Sequence, residues 1–341
     1  MSEVPANDPI LIWGAGAIGG ILGASFARAG HAVHMVDIVA EHVRAMRDDA
    51  LYIEGPVETF SQQLPASTPD TLEGKFRRVI LAVKAHHTEG AIEQLLPHLA
   101  ADGFVVSAQN GLNEQVIASR VGSERTLGCF VNFGADWLEP GRILYGNRAA
   151  VALGELDGSM SERLAAMLRL FRLVEPDAVA TDNIWGYLWG KLGYGALLFA
   201  TALTPASMAD AMACEKHRQV YADLGGEVMR LAKAENVSPL GFNGFDPEGF
   251  LLADPKRIKH SMDAMIDHNR NTAKTHSGIY RDLAVRRRKT EVDAQVGVLV
   301  DVGRRHAVAT PALARLLSLI HAIEDGELEQ SMQRLDDMLR P

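Results

Sequence analysis

The hexapeptide Gly14-Ala15-Gly16-Ala17-Ile18-Gly19 follows directly on the apolar run Ile10-Leu11-Ile12-Trp13 and opens a segment, Ile18 to Ala29, whose apolar residues recur with helical spacing. A glycine pattern placed between a strand and a helix is the context in which G-x-G-x-x-G receives a dinucleotide. Each glycine then has a separate duty. Gly14 permits the tight turn, Gly16 lets a pyrophosphate reach the backbone, and Gly19 allows the helix to lie close on the strand. The amides of Gly16, Ala17 and Ile18, at the start of the helix, would face the negative phosphates. The alternative use of the same residues is a glycine-rich turn without a ligand.

The alternation of strand and helix continues along the chain. Ala32–Val36, Val79–Val83 and Phe104–Ser107 read as further strands, with Ala40–Arg47 and Glu89–Leu99 as helices between them, a pattern that predicts a parallel sheet built from βαβ units. Between Asn132 and Leu153 short strands around a Glu139-Pro140-Gly141 turn suggest antiparallel strands closing one edge. After a last strand at Ala178–Ala180 the chain turns almost wholly helical, punctuated by Pro205, Pro239, Pro247, Pro255 and Pro311, with Gly241 to Gly249 as the loosest loop. The expected division is therefore a doubly wound α/β domain over 1–181 and an all-helical domain over 182–341. With 341 residues the chain exceeds what one core usually holds.

Composition removes several classes. The 47% hydrophobic and 23% charged residues describe an ordinary globular chain. A net charge of -9 offers no footprint for nucleic acid, and the one basic run, Arg286 to Lys289, is short. Cys129 and Cys214 fall in no metal-ligand or disulfide pattern, so no metal is expected and a reduced cytosol fits. Met1 to Asp8 is too polar for a signal peptide, and the most apolar segment, Leu192 to Leu203, is too short for a bilayer, which leaves it a buried helix.

Three polar positions stand where a ligand on such a sheet would lie. Asp37 comes at the end of the second strand, 18 residues after Gly19, where a carboxylate can accept hydrogen bonds from ribose hydroxyls and would repel a ribose phosphate. Ile38-Val39-Ala40 supplies no arginine to offset it, although Arg44 is near in sequence, so NAD is expected over NADP. Capping of the helix that starts near Ala40 is the other role open to Asp37. Lys84 ends the Val79–Val83 strand, and Asn110 lies in Gln109-Asn110-Gly111 after Phe104–Ser107, both on the side of the sheet where ligands bind. Loop structure alone would also account for them.

Taken together, Gly14-x-Gly16-x-x-Gly19, Val83-Lys84, Gln109-Asn110-Gly111, Trp189-Gly190-Lys191-Leu192 and Thr290-Glu291-Val292-Asp293 resemble, in this order, the ketopantoate reductase family. The resemblance implies a Rossmann domain followed by a helical domain of the 6-phosphogluconate dehydrogenase-like type, and reduction of a small 2-oxo acid by a nicotinamide cofactor. It makes Lys191 the general acid, a role that suits an ammonium beside a developing alkoxide. It assigns Glu291 to the substrate hydroxyl and to holding Lys191, and Lys84 and Asn110 to the nicotinamide end and the reacting carbonyl. By analogy with relatives of this architecture the protein is expected to be a homodimer.

The chain also departs from the family. Four and eight residues after Lys191, where the family carries asparagines, stand Gly195 and Phe199, which points to a more apolar or differently shaped substrate. The stretch from Asp282 to Glu291 is one residue longer than usual. Ser277 is the match to the family's carboxylate-binding serine, and His276 and Tyr280 are either new substrate contacts or helix-packing surface. Arg286-Arg287-Arg288 reads as a solvated face or an interface and not as a substrate clamp. The family's biosynthetic members use NADPH and carry a basic residue at the place of Ile38, so an NAD-linked catabolic dehydrogenase of another hydroxy acid on the same scaffold stands as the alternative. A methyltransferase or a non-catalytic NAD-binding sensor would share the glycine loop but would not need Lys84, Asn110 and Lys191 together.

Overall fold

The computed structural model describes residues 8–272 and 274–340. They form two compact units, one ending at Ile184 and the other beginning at Trp185.

The first unit holds all the strands among the described residues: β1 (Ile10–Trp13), β2 (Val33–Val36), β3 (Leu51–Glu54), β4 (Phe60–Gln62), β5 (Ala66–Ser67), β6 (Phe76–Leu81), β7 (Leu99–Ser107), β8 (Thr126–Val131), β9 (Gly134–Glu139), β10 (Arg142–Asn147), β11 (Val151–Glu155) and β12 (Val179–Ala180). Eight of them make one sheet in the order β12-β11-β8-β7-β6-β1-β2-β5. Every pairing from β5 through to β8 is parallel, and β11 joins β8 antiparallel. The chain runs outward from β1 through β2 to β5, then returns to β6 on the other side, so the direction of winding reverses between β1 and β6. That reversal is the switch point at which open α/β sheets take their ligands.

The strands carry uninterrupted apolar runs because both faces of the sheet are covered. Alternation along β1 sends Ile10 and Ile12 into a core with Ile21, Leu22 and Phe26 of the Ala17–Arg28 helix. Leu11 and Trp13 join a second core with Ala91, Ile92 and Leu95 of the Thr88–Leu95 helix and Ile117 of the Asn113–Val121 helix. The helix expected to run to Leu99 stops at Leu95, since Pro97 has no N–H with which to continue the helical ladder; Leu96–His98, which contains Pro97, forms a tighter turn, and Leu99 already starts β7.

The strands between Asn132 and Leu153 are arranged differently from the expectation that they close an edge. Only β11 enters the main sheet, antiparallel to β8 and one place in from the edge, which β12 forms; β9 and β10 belong to a separate sheet of order β4-β3-β10-β9. Ile143 of β10 packs so tightly on the Ala17–Arg28 helix that a Cβ at Gly20 would lie 2.2 Å from its Cδ1. The second sheet thus clamps the helix that the glycine loop opens.

All the regular secondary structure among the described residues of the second unit is helical. Its Ile184–Thr201 helix is apolar around most of its circumference and buries Leu188, Trp189, Leu192, Leu197 and Phe199. Glycines let other segments approach it closely: Leu240 donates its amide to Gly186 O at 2.8 Å, and a Cβ at Gly190 would stand 1.9 Å from Leu240 O. The segment expected to be the loosest loop is interrupted by the Pro247–Leu251 helix.

The Pro311–Glu324 helix takes its N-terminal cap from another helix, Arg218–Ala234. The amides of Ala312 and Leu313 each donate to a carboxylate oxygen of Glu227 at 2.9 Å, and Glu227 is only 3% exposed. Glu227→Ala is expected to cost about 2–4 kcal/mol, read from the denaturant midpoint, because a buried and a part-buried amide both lose their acceptor. Burial raises the Glu227 carboxyl above its ordinary value of 4.5, against the pull of the two amides. The folded state therefore binds this proton more tightly than the unfolded chain, and its contribution to stability falls as pH rises from 4.5 through the raised value.

Candidate active site

The register of the sheet sets four turns side by side. Trp13 pairs with Val36 on one flank and with Leu81 on the other, and Leu81 pairs in turn with Ser107. Gly14, Asp37, Ala82 and Ala108 leave the sheet from that single row. The ladder continues one step beyond it, with Gly14 N donating to Val36 O at 2.8 Å, Ala82 N to Trp13 O at 2.8 Å and Ala108 N to Leu81 O at 2.9 Å. The glycine loop, Asp37, Lys84 and Asn110 are thereby gathered at the carboxyl edge around the switch point.

Within the glycine loop the three glycines face three different surroundings. Gly14 has φ +95° and touches the neighbouring strand exit; a Cβ there would lie 2.7 Å from Val83 N. Gly19 presses the helix onto the loop, its Cβ position being 2.0 Å from Gly14 O. A Cβ at Gly16 would meet nothing within 4 Å. Gly16 is also the N-cap of Ala17–Arg28, whose first turn has neither a side-chain cap nor an acid. Gly16, Ala17 and Ile18 are half-buried while Gly14, Ala15 and Gly19 are buried. An open backbone at an uncapped helix start suits the pyrophosphate of a dinucleotide.

Asp37 lies one residue beyond β2, and its Oδ1 accepts from Val39 N at 2.9 Å. The N-cap of the Ala40–Arg44 helix is Val39, with no side-chain cap, so Asp37 forms a local turn ahead of the helix. Ile38 is 72% exposed.

Lys84 stands three residues past the end of β6, at the start of the Ala85–His87 turn, because the strand ends at Leu81 and not at Val83. A chain of side chains joins its turn to that of Asn110. Gln109 Nε2 donates to Val83 O at 2.9 Å and to Thr88 Oγ1 at 2.8 Å; Thr88 Oγ1 donates to Asn113 Oδ1 at 2.9 Å; Asn113 Nδ2 donates to Asn110 O at 2.5 Å. Thr88, Gln109 and Asn113 are all buried, and Gly111 completes the turn with φ +98°. Sequence reasoning missed Thr88 and Asn113, since nothing marks them beyond polar residues near helix starts.

In the helical unit, Tyr187, Lys191, Gly195 and Leu198 are the half-buried positions along one face of Ile184–Thr201, spaced as one helical stripe. Tyr194, on a buried face of the same helix, accepts from Asn269 Nδ2 at 2.8 Å, and burial raises its phenol above the ordinary value. It stays neutral at physiological pH, and Lys191 is the one basic residue of this helix. Phe199 is fully buried and packs in the core of the unit. Gly195 opens differently: among the described residues, and apart from its chain neighbours and the backbone of its own helix, the one heavy atom within 4 Å of its Cβ position is Gln295 Oε1, at 3.7 Å. Gln295 lies one helical turn after Glu291, with its amide bonded to Glu291 O at 3.0 Å. Sequence reasoning did not single it out, and the Glu291-x-x-x-Gln295 spacing is the signal that could have done so.

Ser277 is 3% exposed and caps the short Gly278–Tyr280 turn, accepting from Tyr280 N at 3.1 Å. Both ring nitrogens of His276 are engaged locally, Nδ1 with Thr275 Oγ1 at 3.0 Å and Nε2 with Pro205 O at 3.1 Å, and its ring centroid lies 4.2 Å from that of Tyr280. The long Asp282-to-Glu291 stretch begins inside a π-turn, Arg281–Val285, closed by Arg286 N on Arg281 O at 2.8 Å. Such a turn takes up one residue more than an α-helical one. Asp282, 7% exposed, accepts from Arg286 at 3.1 Å and from Arg288 at 2.9 Å. Among the described residues no group of three His, Cys, Asp or Glu side chains is arranged to hold a metal ion, and no helix is long and apolar enough to cross a membrane.

A dinucleotide loop at the switch point of a parallel sheet, followed by a helical unit with a lysine on its half-open stripe, defines a nicotinamide-dependent oxidoreductase. More narrowly, the chain belongs to the ketopantoate reductase family: the family described as Ketopantoate reductase PanE/ApbA matches residues 10–158, and its C-terminal counterpart matches residues 183–324. A 2-dehydropantoate 2-reductase of Mesorhizobium japonicum is 28% identical, with 93% of this chain and 98% of that protein covered. Among solved structures, a ketopantoate reductase from Ralstonia eutropha aligns with TM-score 0.78 at 25% identity, covering 94% of this chain and 99% of its own. D-mandelate dehydrogenase, solved with NADH and anilino(oxo)acetate, aligns with TM-score 0.79 at 24% identity over 93% and 98%. A dimeric ketopantoate reductase from Staphylococcus aureus aligns with TM-score 0.71 at 18% identity over 94% and 100%. A nicotinamide cofactor and a small oxo acid are the ligands of this class.

Proposed function

We propose that this chain is an NAD-preferring reductase of a 2-oxo acid of the ketopantoate type. The dinucleotide is held by residues 1–181 and the substrate by residues 182–341, and the protein works as a cytosolic homodimer. The observation that carries the reading is the single row from which the glycine loop, Asp37, Lys84 and Asn110 leave the sheet. The bound reduced nicotinamide supplies a hydride. Gly16, Ala17 and Ile18 present amides to the pyrophosphate, with Gly14 and Gly19 shaping the loop. Asp37, held at its strand end by the Val39 amide, accepts from the adenosine ribose and excludes a phosphate there. Lys84 and Asn110, tied together through Gln109, Thr88 and Asn113, orient the nicotinamide end and the reacting carbonyl. Lys191 gives its proton to the carbonyl oxygen, and Glu291 binds the resulting hydroxyl. Ser277 meets the substrate carboxylate through its hydroxyl proton, beside His276 and Tyr280.

The test is the initial rate of NADH and of NADPH oxidation with ketopantoate. The expected kcat/KM is at least about tenfold higher with NADH, and Asp37→Ala narrows that gap. A rate confined to NADPH refutes the role of Asp37.

A second reading is favoured by the space at Gly195: a bulkier, more apolar 2-hydroxy acid, oxidised with NAD. The same assay with phenylglyoxylate in place of ketopantoate separates the two.

A further inference from the structure

His42, on the Ala40–Arg44 helix, is 0% exposed and bonds to backbone through both ring nitrogens. The amide of Gly141 donates to Nδ1 at 2.9 Å, and Nε2 lies 2.8 Å from Ala15 O. An amide only donates and a carbonyl only accepts, so the ring is neutral and carries its proton on Nε2. One side of this imidazole is anchored. Gly141 closes the β9–β10 turn with φ +80°, and its own carbonyl accepts from Tyr52 N at 2.8 Å on β3. The other side holds the middle of the glycine loop.

The peptide that His42 holds is the one between Ala15 and Gly16. In a planar trans peptide the C=O and the following N–H point in opposite directions. Drawing Ala15 O inward onto the imidazole therefore aims the Gly16 N–H outward, toward the side where a Gly16 Cβ would meet nothing within 4 Å. We propose that His42 is a positioning residue for the dinucleotide: it orients the Gly16 amide toward the pyrophosphate and braces the loop against the second sheet. The inference rests on the reading of the glycine loop given above.

Two near-isosteric substitutions divide the two bonds. The side-chain oxygen of an asparagine falls at the place of Nδ1, so His42→Asn keeps an acceptor for Gly141 and drops the donor to Ala15. The terminal amide of a glutamine falls at the place of Nε2, so His42→Gln keeps the donor to Ala15 and drops the acceptor for Gly141. The Kd for NADH, read from the fluorescence of bound NADH with purified full-length protein, is expected to weaken roughly tenfold in His42→Asn and to stay within about threefold of wild type in His42→Gln. The KM for the oxo acid should be unchanged in both. Wild-type affinity in His42→Asn would overturn the proposal, as would equal losses in both variants that track their melting temperatures, since that pattern marks a purely structural role. If the wild type binds neither NADH nor NADPH, the dinucleotide reading itself fails and this inference with it. Binding by the wild type with no effect of His42→Asn removes the inference alone.

Discussion

Lys191→Ala is expected to lower kcat by about three orders of magnitude while leaving the Kd for NADH within about twofold, the size of effect that loss of a general acid and of a cation beside a developing alkoxide produces together. The structure narrows the choice of acid on this helix. Of its three titratable residues, Tyr194 is buried and bonded to Asn269, and Tyr187 and Lys191 share the half-open stripe. Of the two, only lysine brings a positive charge as well as a proton. Lys191→Arg separates these contributions, because guanidinium keeps the charge and does not release its proton. It should recover part of the loss through charge alone and show no alkaline limb from residue 191 in its pH profile. Retention of more than a tenth of the wild-type kcat by Lys191→Ala would remove it from the chemistry.

Alanine at Gly16 and alanine at Gly19 should fail in opposite ways. At Gly19 the added carbon meets Gly14 O, a backbone atom, at 2.0 Å, so the helix must lift off the loop. A loss of about 3 kcal/mol or more is expected from overpacking of this kind. At Gly16 the backbone has φ -64°, which any residue adopts, and the new methyl faces open space. Stability should therefore stay within about 0.5 kcal/mol of wild type. The Kd for NADH should nonetheless rise at least roughly tenfold, because the methyl stands between the phosphate and the amides. Thermal melts with and without NADH measure both quantities on the same samples. A Gly16→Ala protein that binds NADH normally would mean that the opening serves no phosphate.

The sheet was legible where the chain states its pairing locally. β1 is four apolar residues stopped by glycine, and the helix after it repeats the 3.6-residue period, so both could be read within two residues of their ends. β3 could not. Its Tyr52-Ile53-Glu54 pairs with Arg142-Ile143-Leu144, and no local pattern announces a partner so distant in the chain. The same separation divides the site. Gly14, Gly16, Gly19, Lys84, Asn110 and Lys191 stand out because each sits in a short motif whose chemistry is visible in neighbouring residues. Thr88, Asn113 and His42 carry no such mark; what they do depends on which backbone atom the fold brings to them. The departure at Gly195 was visible as a missing side chain, but Gln295 Oε1 beside the space could be found only in three dimensions.

That last arrangement bears on how such an enzyme changes over generations. The helix that carries Lys191 is hemmed in by close contacts at Gly190 and Gly193, where a Cβ would meet Leu240 O at 1.9 Å and Phe245 at 2.7 Å, so it tolerates little variation. Residue 295 stands on a different segment, and exchanging its side chain resizes the space at Gly195 without disturbing that helix. On the proposed reading, single codon changes at position 295 are expected to move the preference from one acid to another while Lys191 keeps its place on the helix.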